Sequence, residues 1–106
     1  MKLGIVINTN NAEKAWNALR LGNTALKEGH TVSVFLMGSG VEVELIADEH
    51  YNVTGTLDTF LKLHGNLLAC GTCLKSRRQE GGVCPVSTMM DLLKMVETSD
   101  KVVTFG

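Results

Sequence analysis

The strongest constraint on this chain is the alternation of short, continuously apolar runs with stretches of helical periodicity. Lys2 to Asn8 is rich in β-formers and apolar through its middle, the pattern of a strand covered on both faces of a parallel sheet. It ends in Asn8-Thr9-Asn10-Asn11, a polar cluster that supplies a turn and a helix N-cap. Trp16, Leu19 and Leu26 then share a helical face, with the small residues Ala15, Ala18, Gly22 and Ala25 beside them to allow close packing on a sheet. Gly29 suits the left-handed position that ends a helix, and His30 to Met37 reads as a second strand, completing a β-α-β unit.

Gly38-Ser39-Gly40 breaks that strand as a plain turn. Val41 to His50 fits both periods, since Val41, Val43 and Leu45 alternate while Val43, Ile46 and Ala47 fall on a helical face; helix is the favoured expectation. Leu57, Phe60, Leu61 and His64 follow the i, i+3, i+4, i+7 spacing of an amphipathic helix stopped by Gly65, and Asn66 to Cys70 forms a short third strand. Pro85 and Ser87 open a last helix with Met89, Leu92, Leu93 and Val96 as its apolar face and the methionines Met89, Met90 and Met95 as core filler. Ser99-Asp100 turns into a closing strand, Val102 to Phe105. The expected fold is a three-layer α/β/α domain spanning residues 1–106, with a parallel sheet of four or five strands and helices on both faces.

A chain of 106 residues, 44% of them apolar, has enough material for one core without a metal or disulfide to hold it. The net charge of −1 and the absence of a long basic stripe argue against nucleic acid as a partner. The apolar runs are far shorter than the roughly 20 residues that span a bilayer, so no membrane association is expected. No extended apolar leader precedes the first strand, which makes the cytoplasm the expected setting. Three cysteines, an odd number, then point to reduced thiols rather than a disulfide framework.

In open parallel sheets ligands gather at the carboxyl ends of the strands. Asn8 to Asn11, Gly38 to Gly40 and Cys70-Gly71-Thr72-Cys73 should share that edge, and the last carries the reactive group. A cysteine attacks as its thiolate, whereas an ordinary thiol near pKa roughly 8.5 is mostly protonated at neutral pH. Gly71 permits a tight exit from the strand, and Thr72 to Arg78 can begin a helix whose unpaired amides favour a thiolate at Cys70, with Gly71 and Thr72 as the backbone donors. Cys70 is therefore the candidate catalytic residue, against the blander role of a small buried hydrophobe. Lys75, Arg77 and Arg78 read as a solvated face.

Other chemistries remain open. Cys70 and Cys73 form a Cys-x-x-Cys pair able to act as a dithiol, although the motif follows a third strand, unlike a thioredoxin. His64, Cys70, Cys73 and Cys84 are suitable zinc ligand types but show one close pair where structural zinc sites show two, so no metal is expected. His30 and His50 have no located partner. Gly38-Ser39-Gly40 lacks the later glycine of a dinucleotide fingerprint, and no cofactor is expected.

The order of these segments resembles the DsrE/DsrF-like family, which includes the TusD-type sulfur-relay subunits. The resemblance rests on Lys2 to Asn8, Lys27-Glu28-Gly29-His30, Thr31 to Met37, Asn66-Leu67-Leu68-Ala69-Cys70, Leu74-Lys75-Ser76-Arg77-Arg78, Met89 to Val96 and Ser99 to Phe105. It implies a sulfur carrier or sulfurtransferase in which Cys70 accepts sulfane sulfur as a persulfide and passes it on. It further implies sulfur donor and acceptor proteins as partners, and homo-oligomers or hetero-oligomers with sister subunits. Cys73 and Cys84 depart from the sulfur-relay pattern and are candidate resolving or auxiliary thiols, either able to condense with a Cys70 persulfide and release sulfide. A noncatalytic oligomeric or ligand-binding module is the alternative on the same fold.

Overall fold

The computed structural model describes residues 1–76 and 86–106. Its elements are β1 (Lys2–Ile7), α1 (Ala12–Lys27), β2 (Thr31–Leu36), a 3-10 helix (Gly38–Leu45), α2 (Val53–Lys62), β3 (Asn66–Cys70), α3 (Gly71–Ser76), β4 (Val86–Ser87), α4 (Met89–Thr98) and β5 (Lys101–Phe105). The five strands form one sheet in the order β4-β3-β2-β1-β5, and every pairing is parallel.

The two central strands explain the apolar runs. Ile5, Ile7, Val32, Val34, Phe35 and Leu36 are fully buried, each contributing about 1.5–3 kcal/mol relative to exposure. Such burial on both faces needs helices on both sides of the sheet. Ile5 faces α1, where its side chain meets Gly22 and, through it, Phe60 of α2. Its neighbour Gly4 faces the other way, against Met95 and Ser99 at the end of α4. Thus α1 and α2 cover one face and α4 the other.

Helix starts follow the local chemistry. Asn11 caps α1, its side-chain oxygen accepting from the Lys14 amide at 3.0 Å. Thr88, rather than Pro85 or Ser87, caps α4 in a reciprocal box with Asp91. Ser87 belongs to β4, and Pro85 lies outside the described residues.

Three further expectations are revised. The helix expected over Val41 to His50 is a 3-10 helix that begins earlier, at Gly38, and stops at Leu45. The backbone turns extended at Ile46, and Asp48 then accepts from the amides of His50 and Tyr51, at 2.9 and 3.0 Å, in a local turn that takes the place of helical bonding. His64 is not on a helix face: it follows the C-cap of α2 with φ +67°, while Gly65 carries no side chain because Phe60 fills that space. The apolar face assigned to α4 is also different. Met95 is its buried residue, whereas Met89, Met90, Leu93 and Val96 are all exposed, Met90 to 59%. Among the described residues α4 meets the sheet through the narrow stripe around Met95.

Candidate functional site

The carboxyl ends of β1, β2 and β3 meet because the three strands run parallel in near-matching register. Hydrogen bonds join the segments that leave them. The Met37 amide donates to the Ile7 carbonyl at 3.1 Å, the Asn10 amide to Ser39 Oγ at 3.0 Å, and the Gly38 amide to Cys73 Sγ at 3.2 Å. Gly38 adopts φ +56° with its Cα against the Asn8 side chain, and a side chain at Gly40 would run into the Ile7 carbonyl. Both glycines let the 3-10 helix press onto the end of β1 and bring its first amide to Cys73.

Cys70 closes β3 and is 3% exposed. Its register partner on the edge strand is Ser87, also buried, and Gly71 leaves room for β4, since a Cβ there would lie 2.9 Å from Val86 Cγ1. β3 and β4 are neighbours, yet the segments that follow them depart to opposite sides. α3 packs on the 3-10 helix, which packs on α2, whereas α4 crosses the far face of the sheet to reach β5. Strand ends whose following segments diverge are the usual place for chemistry in an open α/β sheet. Cys70 and Ser87 are the paired residues at those ends.

α3 starts at Gly71, one residue before the start read from the sequence, so Cys70 sits immediately ahead of a helix start; the expected end at Arg78 lies outside the described residues. Cys73 lies in the same turn and is half-buried, the more accessible of the two thiols. Neither is in a disulfide. Cys84, Arg77 and Arg78 lie outside the described residues.

His64 precedes the amino end of β3 and Cys70 ends it, so the strand itself holds His64 away from the two cysteines. Among the described residues no three histidine, cysteine or acidic side chains gather as a metal cage. A cavity of about 460 Å³ between α1 and α2, lined by Trp16, Arg20, Asn23 and Thr56 among others, includes neither cysteine in its lining.

Ser87 is the site residue that the sequence concealed, reading there as a helix start. Gly38 is expected at this edge, as a turn glycine without a stated role. Only the pairing of β2 with β3 and of β3 with β4 shows that Gly38 donates to Cys73 and Ser87 stands beside Cys70.

The chain matches the DsrE/DsrF-like family over residues 1–105. It belongs to that family. The DsrE/DsrF-like protein is also 38% identical over 100 residues to the uncharacterized protein MJ0989 of Methanocaldococcus jannaschii, with 88% of each chain covered. It is 35% identical over 100 residues to the uncharacterized protein MK0008 of Methanopyrus kandleri, covering 88% of this chain and 83% of that one. The parallel five-stranded α/β sheet is consistent with the fold of the family. Among the described residues, no helix of the DsrE/DsrF-like protein is long and apolar enough to cross a membrane.

Proposed function

We propose that this DsrE/DsrF-like protein, acting as one domain over residues 1–106, carries sulfane sulfur as a persulfide on Cys70. The observation that supports this most is the position of Cys70: it ends β3 beside Ser87, where the chain diverges to opposite faces, in a family of sulfur-relay type. A thiolate there attacks the outer sulfur of a donor persulfide. The new S–S bond forms at Cys70, the donor's S–S bond breaks, and the donor thiolate leaves; delivery to an acceptor thiol is the same exchange in reverse. No general base is required, since the thiolate is itself the nucleophile. The backbone of Gly71 and Thr72, at the start of α3, supports that charge. Cys73 and Cys84 are auxiliary thiols, and no cofactor or metal takes part.

The partners are sulfur donor and acceptor proteins in the cytoplasm, where thiols remain reduced. The exposed row Met89, Met90, Leu93 and Val96 on α4 supports subunit association, which we assign to a second copy of this chain or a sister subunit.

The test is to incubate reduced protein with a persulfide donor, wash briefly with a small thiol, and measure intact mass. One retained sulfur, lost in Cys70→Ser and kept in Cys73→Ser, is the expected result. No gain of sulfur with any donor overturns the proposal. Should the mass instead fall by two hydrogens, with a Cys70–Cys73 disulfide mapped, the protein is a dithiol redox module.

A further inference from the structure

The proposed chemistry meets an obstacle in the structure: Cys70 is 3% exposed, and a donor's persulfide must come within bonding distance of its sulfur. Three residues further, Cys73 is half-buried, and its sulfur is fixed in place by the Gly38 N–H at 3.2 Å. That amide is the first of the 3-10 helix, one of the donors a helix start leaves without an internal partner. A hydrogen bond accepted by sulfur is stronger when the sulfur carries negative charge. The bond fixes where Cys73 Sγ sits, beside the start of the 3-10 helix. The location has a structural cause as well. β2 and β3 are paired through Leu36 and Ala69, so their next residues, the 3-10 helix start and the first turn of α3, emerge side by side at the same edge.

Resting on the assignment of Cys70 as the sulfur carrier, we infer that Cys73 is the receiving thiol, positioned by the Gly38 amide, and that it hands sulfur inward to Cys70. In the first step the Cys73 thiolate attacks the outer sulfur of a donor R–S–SH. An S–S bond forms at Cys73, the donor's S–S bond breaks, and R–S⁻ leaves. In the second step the Cys70 thiolate attacks the outer sulfur held on Cys73, forming the Cys70 persulfide and returning Cys73 as a thiolate. Each step exchanges one S–S bond for another, with no net oxidation and no added reductant. Cys70 ends β3 and Cys73 lies in the first turn of the helix that follows, so the second step spans three residues of one chain. Burial then protects the sulfur on Cys70 from solvent thiols until an acceptor engages the ends of β3 and β4.

The inference is tested by mixing the full chain with glutathione persulfide, quenching at intervals with iodoacetamide, and mapping each cysteine by mass spectrometry. In the native sequence the Cys73 persulfide should appear first and decline as the Cys70 persulfide grows. In Cys73→Ser, loading of Cys70 should slow by about tenfold or more, because the buried thiol is then reached only through local opening. In Cys70→Ser, sulfur should stop at Cys73 and remain removable by a small thiol. Circular dichroism of both variants checks the fold, and alkylation by acrylamide without sulfur should modify Cys73 before Cys70. Loading of Cys70 at the native rate in Cys73→Ser, or a Cys70 persulfide that forms before any on Cys73, overturns the order of transfer while leaving Cys70 as the carrier. An absence of persulfide on both cysteines, with the alkylation order kept, overturns the carrier assignment itself and this inference with it.

Discussion

Cys70 and Ser87 are the last paired residues of β3 and β4, side by side where the chain departs to opposite faces of the sheet. Both are buried, so the space beside the sulfur is set by a small hydroxyl side chain. Enlarging it should be felt at the sulfur. Ser87→Leu is expected to cost about 1–3 kcal/mol through overpacking and to slow persulfide formation on Cys70. Denaturant unfolding reads the first effect and persulfide mapping the second; loading of Cys70 at the native rate in Ser87→Leu would show that the space beside Ser87 does not bear on the sulfur.

The start of α1 is held by one identifiable side chain. Asn11→Ala removes the acceptor for the Lys14 amide and should lower stability by about 1 kcal/mol, with Asn11→Asp close to neutral. Thermal unfolding checks this, with a fall of about 4–8 °C expected for Asn11→Ala in a domain of roughly this size.

Tyr51 is the one tyrosine of the chain, so its ionisation can be followed by absorbance without overlap. A side-chain hydrogen bond to Glu13, followed by the charge of Glu13, raises its phenol above the ordinary value of 10.0. The native state therefore holds this proton more tightly than the unfolded chain does. Its stabilising contribution is present below pH 10.0 and lost as the pH climbs through the raised native value. The titration midpoint should exceed 10.0 in the native sequence and move down towards it in Glu13→Gln. Equal midpoints in the two proteins would remove Glu13 as the cause.

α4 separates folding from association along one helix. Met95 is buried against Gly4, and Met95→Ala should cost about 2–5 kcal/mol. Leu93 is 49% exposed, so Leu93→Glu should leave thermal stability of the isolated subunit nearly unchanged while reducing the molar mass measured by light scattering. A mass unaffected by Leu93→Glu would place subunit association elsewhere.

Much of the scaffold was legible in advance because burial writes itself into sequence. Lys2 to Ile7 and Thr31 to Leu36 are strands between two helical layers, which demands the continuous apolar runs observed. Asn11 and Gly29 mark the ends of α1 by backbone requirements that act locally: an orphan amide needing an acceptor and a φ of +87° needing glycine. Cys70 was placed at a strand end by the same reasoning.

α4 and the segment after Gly38 were less legible. The apolar spacing of Met89, Leu92, Leu93 and Val96 suits a core-facing stripe, but hydrophobic character says only that a face prefers to be covered, not by what. In Val41 to His50 both periods were present, and the chain follows neither throughout: a 3-10 helix ends at Leu45 and a turn at Asp48 follows.

The sequence by itself determined the parallel α/β layering, the ends of the first helix and the location of a thiol at the end of β3, because each follows from burial or from backbone bonding among near neighbours. The tertiary structure alone decided which groups surround that thiol. Ser87 reaches Cys70 by strand pairing, and Gly38 reaches Cys73 because β2 and β3 end at the same edge. Contacts between residues 17 and 35 positions apart are set by strand order and register, and no local pattern in the chain encodes them.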